Sequence, residues 1–227
     1  MDAIYRVEGH RVTTSPNAAG PWDPSMQHGS APAALAVWAA EAIPTAVPMR
    51  IARVTIDLMR PVPMAPLTLE SEVLREGRKI QLCAIRLRAG NAVVVSATVL
   101  KIKTQALSLP PEVADVALEL PGPDQAREEQ PSFSSSAFVT GISMRAARGS
   151  FGVPGPGAIW YRADRPLVEG SPVSQAMRGR RGGFLQRHLR GAGFRAMDLS
   201  QCRPHGEHGA RAGRRMDFAR CRVLDRS

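Results

Sequence analysis

The stretch Gly29-Ser30-Ala31-Pro32-Ala33-Ala34-Leu35-Ala36-Val37-Trp38-Ala39-Ala40-Glu41-Ala42-Ile43 decides the fold. Ser30 is placed to cap a helix and Pro32 to sit in its first turn, which predicts a helix over the Ala-rich run Ala33 to Ile43. Leu35, Val37, Trp38 and Ala39 make that helix apolar on nearly every face, and Glu41 is its one charge. A helix of this kind has no solvent side, so other elements are expected to enclose it.

Four segments downstream can do so. In Ile51 to Arg60, Ala52, Val54, Ile56 and Leu58 alternate with Arg53, Thr55 and Asp57, the period of a strand with one buried face. Leu67 to Leu74, Ile80 to Arg88 and Ala92 to Lys103 continue the pattern. Glu76-Gly77-Arg78 and Ala89-Gly90-Asn91 supply the hairpin turns, so a meander around the helix is expected.

Beyond Lys103 the chain turns proline-rich and acidic (Pro110-Pro111, Pro121-Gly122-Pro123, Glu128-Glu129), which reads as a surface connection. The opening pattern then returns. Phe138 to Ala147 and Ile159 to Ala163 are strand-like around a Pro/Gly turn at Gly152 to Gly157, and Gly170-Ser171-Pro172 repeats the helix start. Gly29 and Gly170 are equivalent points of an internal repeat 141 positions apart, and the second copy is expected to run to about residue 244. The expected organisation is 1–105 as a complete first unit, 106–131 as linker, 132–177 as the start of a second unit, and 178–227 as a disordered tail.

That tail obeys different rules. Up to Met177 there are 17 Lys or Arg against 16 Asp or Glu, whereas 178–227 holds 13 Arg, no Lys and 4 acidic residues, and so carries +9 of the +10 net charge. Arg178-Gly179-Arg180-Arg181-Gly182-Gly183 is the composition of segments that bind RNA through phosphate charge. Against that, Phe184, Phe194 and Phe218 are its only aromatics, so nucleic acid is not the expected partner. Elsewhere composition excludes more than it assigns. Cys83, Cys202 and Cys221 fit neither a zinc site nor a disulfide framework, and no cofactor or metal is expected. No basic segment followed by an apolar stretch opens the chain, and the run Ala31 to Ala40 is too short for a bilayer, so a cytoplasmic location is expected.

Gly20-Pro21-Trp22, His28-Gly29, Asp57-Leu58-Met59-Arg60-Pro61-Val62-Pro63, Leu74-Arg75-Glu76-Gly77-Arg78-Lys79 and Gln81-Leu82 together resemble the double-hotdog acyl-CoA thioesterase family, of acyl-CoA thioesterase II type, from about residue 12 to Met177. The resemblance implies an α+β hotdog fold, an antiparallel sheet wrapped around a central helix, with one complete copy and one incomplete. It also implies hydrolysis of acyl-CoA thioesters by an Asp that positions water, helped by a hydroxyl residue and a Gln. In that family these three come from the strands of the second hotdog, so none has a counterpart here. Asp57 occupies the corresponding strand of the first copy. A non-catalytic hotdog that binds acyl-CoA or a partner chain is the alternative, and homo-oligomers are expected in either case.

The expected substrate-binding residues are Gln27, His28, Gly29 and Arg60, with Asp57 and His28 as candidates for catalysis. Gly29 and the first helical N–H groups can hold a thioester carbonyl, because a helix N-terminus favours developing negative charge. His28 reads equally as a packed turn histidine, Asp57 and Arg60 as a solvated strand face, and Cys83 as a small core residue. Met-Asp pairs in the tail offer a further expectation. Met has one codon and Asp begins with GA, so Met197-Asp198 and Met216-Asp217 each encode Trp one base forward. With G+C-rich codons elsewhere, 183–188, 201–206 and 216–226 become strand-like in that frame and resemble the family's missing strands. A frameshift just after Met177 is therefore expected.

Overall fold

The computed structural model describes residues 2–106, 108, 110, 120–130, 135–151, 153, 157–171, 195–198 and 223–224. Helix α1 spans Ser30–Ala42, where seven alanines in thirteen residues supply the strongest intrinsic helix preference. Ser30, expected as the cap, is instead the first helical residue. Gly29 stands at the cap, and the side chain that bonds a first-turn donor belongs to His28, whose Nδ1 accepts from the Ser30 N–H at 3.2 Å. The helix stops at Ile43 because the residue before Pro44 is driven out of the helical region; its φ and ψ are −70° and 122°. Leu35, Ala36, Ala40 and Ala31 have no exposed surface, as the all-apolar helix demands.

Six antiparallel strands surround it: β1 Tyr5–Glu8, β2 Arg11–Thr14, β3 Met49–Leu58, β4 Leu67–Glu76, β5 Ile80–Ala89 and β6 Ala92–Lys103. Their order is β1-β2-β4-β5-β6-β3. The meander expected from the sequence holds for β4, β5 and β6 alone. β3 crosses to the far edge and pairs with β6, with Val54 opposite Val99 and Ile56 opposite Ala97. β1 and β2, which the alternation did not announce, extend the other edge.

The sheet curves through three irregularities, at Ile51/Arg53, Val73/Arg75 and Leu87/Arg88. The first corrects the strand reading. Ala52 was expected to begin the buried set of β3, but it is exposed while Ile51 is buried, because the bulge inserts one residue and shifts the phase of everything before it. From Val54 onward the expected phase applies. Rows of paired residues then line the face covered by α1: Leu87 with Val95, Ile85 with Ala97, Cys83 with Val99, and Gln81 with Lys101.

A second sheet has the order β11-β10-β9-β8-β7, from β7 Arg127–Glu129, β8 Ile142–Arg148, β9 Ala158–Ala163, β10 Arg195–Asp198 and β11 Val223–Leu224. The strand expected from Phe138 begins four residues later, because Val139–Gly141 forms a 3-10 turn first. β10 and β11 are backbone pairings within the Arg/Gly-rich tail, where the sequence placed no strand. The rest of 178–227 lies outside the described residues, as does the helix expected after Gly170.

The two sheets meet through exchanged segments. The Ile4 and Tyr5 N–H groups bond the carbonyls of Pro166 and Leu167 at 3.1 and 2.8 Å, and Tyr5 returns its own carbonyl to the Glu169 N–H at 2.8 Å. In the opposite sense the Phe138 N–H bonds the Ala19 carbonyl at 3.3 Å. Each copy's leading segment thus grips the turn before the other copy's helix position. One apolar cluster runs through both, from Leu35, Ile85 and Val99 to Phe138, Tyr161 and Leu167.

Candidate functional site

The turn that leads into α1 is built tightly. Asp23 Oδ1 accepts from the Ser25 N–H and hydroxyl at 2.8 and 2.7 Å, which holds its carboxyl below the ordinary value. Gly20 passes so close that a Cβ there would lie 3.2 Å from the His28 nitrogen. The Gln27 N–H bonds the Val62 carbonyl at 2.8 Å, which ties this turn to the Arg60–Pro63 segment.

Gln27 itself is a buried junction. Its Oε1 accepts from the Tyr5 hydroxyl at 2.5 Å, and its Nε2 donates to the Pro63 carbonyl at 2.8 Å and the Thr14 hydroxyl at 3.3 Å. Tyr5 is fully enclosed, and burial raises its phenol well above the ordinary value. These bonds commit the amide to joining β1, β2, the helix entry and the Pro63 turn.

His28 lies between two rings, stacked on Trp22 at 5.8 Å and on Phe138 at 4.5 Å. Because its Nδ1 accepts from Ser30, the neutral ring carries its proton on Nε2. Burial lowers its pKa from 6.5. The depressed value gives stability that is present above pH 6.5 and is lost as pH falls through the folded-state value, when Nδ1 gains a proton and stops accepting. Trp22 emission should therefore titrate with a midpoint below 6.5 in the wild-type chain. The pH step should vanish in His28→Phe, and a step that survives there would assign it to another group.

The Ser30 N–H is taken by His28 Nδ1, the Ala31 N–H bonds the His28 carbonyl at 2.8 Å, and Pro32 has none. Gly29 keeps its N–H without an acceptor among the described residues. The absence of a side chain at Gly29 also matters, since a Cβ would lie 3.0 Å from Leu58 Cδ1. Trp22, Leu58 and Met59 are exposed at 80%, 51% and 60%. The arrangement can offer one hydrogen bond to a carbonyl oxygen at the positive end of a helix, with apolar and aromatic surface around it.

Asp57 is exposed on β3 opposite Ser96, and because Leu58 points toward Gly29, its neighbour Asp57 belongs to the opposite face of the sheet. Arg60 is exposed just past the end of β3. Thus Gln27, His28 and Gly29 come together, the segments on either side of Arg60 pack against them through Leu58 and Val62, and Asp57 belongs to the opposite face of the sheet. The parts sequence reasoning missed are Tyr5 and Phe138, each from a distant segment with no local signal. Among the described residues no group of three or more His, Cys, Asp or Glu could hold a metal, and no helix is long and apolar enough to cross a membrane.

Residues 18–102 match the acyl-CoA thioesterase N-terminal domain family. Among curated proteins no match is found. Among solved structures, the chain is similar to a conserved hot dog protein of unknown function from Alicyclobacillus acidocaldarius, at 18% identity and TM-score 0.58, over 72% of this chain and 61% of that one. A proposed thioesterase from Novosphingobium aromaticivorans gives 23% identity and TM-score 0.56 over 71% and 65%. The tesB protein of Mycobacterium avium subsp. paratuberculosis gives 20% and 0.51 over 88% and 76%. The chain spans less than two thirds of the length of the first two. These likenesses show the hotdog fold, one full copy with part of a second.

Proposed function

Because residues 18–102 belong to the acyl-CoA thioesterase N-terminal domain family, we propose that this chain binds acyl-CoA at the open end of α1 and is a thioester hydrolase left incomplete in this reading frame. The observation that carries the reading is the Gly29 N–H, without an acceptor among the described residues and bordered by exposed Trp22 and Leu58. A thioester carbonyl is the ligand such a donor suits, and the apolar surround suits the chain attached to it. Asp57, the expected carboxylate, does not join this donor, because it belongs to the opposite face of the sheet. That favours binding without efficient turnover, which is also the behaviour of the non-catalytic alternative.

Residues 178–227 are, in this proposal, read one base out of register, and the strands that would complete the second hotdog are encoded in the neighbouring frame. The protein is cytoplasmic and self-associates. Ten-residue β3 has one edge unpaired among the described residues, and Leu58, Met59 and Ile102 are exposed near it. Open edges of that length recruit another strand.

The test is titration of the chain with a non-hydrolysable medium-chain acyl-CoA analogue. Gly29→Ala, which crowds the donor against the flexible tip of Leu58, should weaken binding about tenfold while preserving the fold. Unchanged binding would remove Gly29 from the site. Binding that disappears on deleting 178–227, and falls steeply with salt, would instead assign the ligand to the basic tail.

A further inference from the structure

The face of the six-stranded sheet that points away from α1 is divided by charge. Lys101 bonds the Ile43 carbonyl at the helix end and pairs in register with Gln81, so the residues that alternate with these two belong to the outer face. On one half of that face the carboxylates are paired, Glu70 with Arg88 at 2.8 Å and Glu72 with Arg86 at 3.4 Å. On the other half the register aligns Arg75, Leu82, Leu100 and Arg53 in one row across β4, β5, β6 and β3, and Ile80, Ile102 and Arg50 in the next.

Arg50, Arg53 and Arg75 are exposed and make no ion pair among the described residues. Asp57, on the same face of β3, stands about 13 Å from Arg53 at the strand rise, and Glu76 turns to the helix side, where it accepts from Gln81 Nε2 at 2.7 Å. The four aliphatic residues between the arginines all keep solvent-exposed surface, Ile102 at 41%. The turn between β4 and β5 adds exposed Arg78 and Lys79 at this end of the sheet.

Charge and area choose the occupant. A second copy seated face to face would bring arginines against arginines. Two rows on four strands cover roughly 300 Å² at ordinary strand spacing, less than the area of about 800 Å² that each partner contributes to a stable protein interface. No aromatic residue stands in either row to anchor a protein or to stack a base. An anionic lipid surface needs neither area nor shape, because each cation adds its own attraction to the head groups and each aliphatic side chain its own burial. We propose that this half of the outer sheet face docks on anionic phospholipid bilayers, with Arg50, Arg53 and Arg75 at the head groups and the aliphatic residues between them against the acyl boundary. The contact is peripheral, since among the described residues no helix is long and apolar enough to cross a membrane. It uses the side of the sheet away from α1 and does not depend on the thioester reading.

Flotation of the 227-residue chain with vesicles of phosphatidylcholine and phosphatidylglycerol, against phosphatidylcholine alone, tests it. Binding is expected only where phosphatidylglycerol is present. It should fall about tenfold or more when Arg53→Gln and Arg75→Gln are combined, and several-fold in Ile102→Ser. It should stay within about twofold when Arg86→Gln and Arg88→Gln are combined, which removes the same charge from the paired half. Arg50→Gln, a single exposed change, decides the matter if the first double variant loses its circular dichroism. Absence of binding, or binding to phosphatidylcholine alone, overturns the proposal. So does an equal effect of the two double variants, which would assign the lipid to net charge and the Arg-rich tail. Unchanged binding in Ile102→Ser, with polyglutamate displacing the vesicles, would make the face a site for an acidic protein and overturns it as well.

Discussion

Restoring the neighbouring reading frame after Met177 should raise hydrolysis of a medium-chain acyl-CoA on the order of a thousandfold over the 227-residue chain. Thioester hydrolysis needs a carboxylate that fixes water beside the carbonyl, and an oxyanion donor alone supplies only part of the acceleration. The donor is present at Gly29, and the nearest expected carboxylate, Asp57, lies on the other sheet face. Steady-state assays of the two chains, each with and without Asp57→Ala, give the answer. Robust turnover by the 227-residue chain that Asp57→Ala abolishes would sink the proposal and move the chemistry into the first hotdog.

Leu35→Ala should cost about 3 kcal/mol, within the range for a buried leucine whose neighbours cannot close over the space. Leu35 has no exposed surface and belongs to the apolar cluster that runs from α1 into both sheets. For a domain of this size that corresponds to a fall in Tm of about 10 °C. Leu74→Ala makes the comparison, since Leu74 is 48% exposed on β4 and its loss should change stability by less than about 0.5 kcal/mol. Equal shifts in a thermal melt of the two variants would mean that α1 is not enclosed as described.

Helix and strands could be read in the chain because their causes are local. The alanines of α1 favour a helix wherever they stand, Ile43-Pro44 ends it by steric exclusion, and the alternation along β5 and β6 marks one face for burial. Lys101 was equally visible, as the one charge in the row after Val95, Ala97 and Val99, yet its consequence was not, because a lysine in a sequence pattern does not say whether water can reach it.

The tertiary structure decided what touches what. Periodicity names a face but not a neighbour, so nothing in Met49–Leu58 says that β3 pairs with β6 in preference to β4, nor that a bulge puts Ile51 inside in place of Ala52. The same holds for the site. Gln27, His28 and Gly29 are consecutive and could be picked out together, whereas Tyr5, 22 positions from Gln27, meets it only when β1 folds back onto the helix entry, and Phe138, 110 positions from His28, meets it only when the two copies pack. Asp57 shows the reverse: its strand and residue type were legible, but the side of the sheet it faces is fixed by the close approach of Leu58 to Gly29, a contact between distant segments that no local propensity encodes.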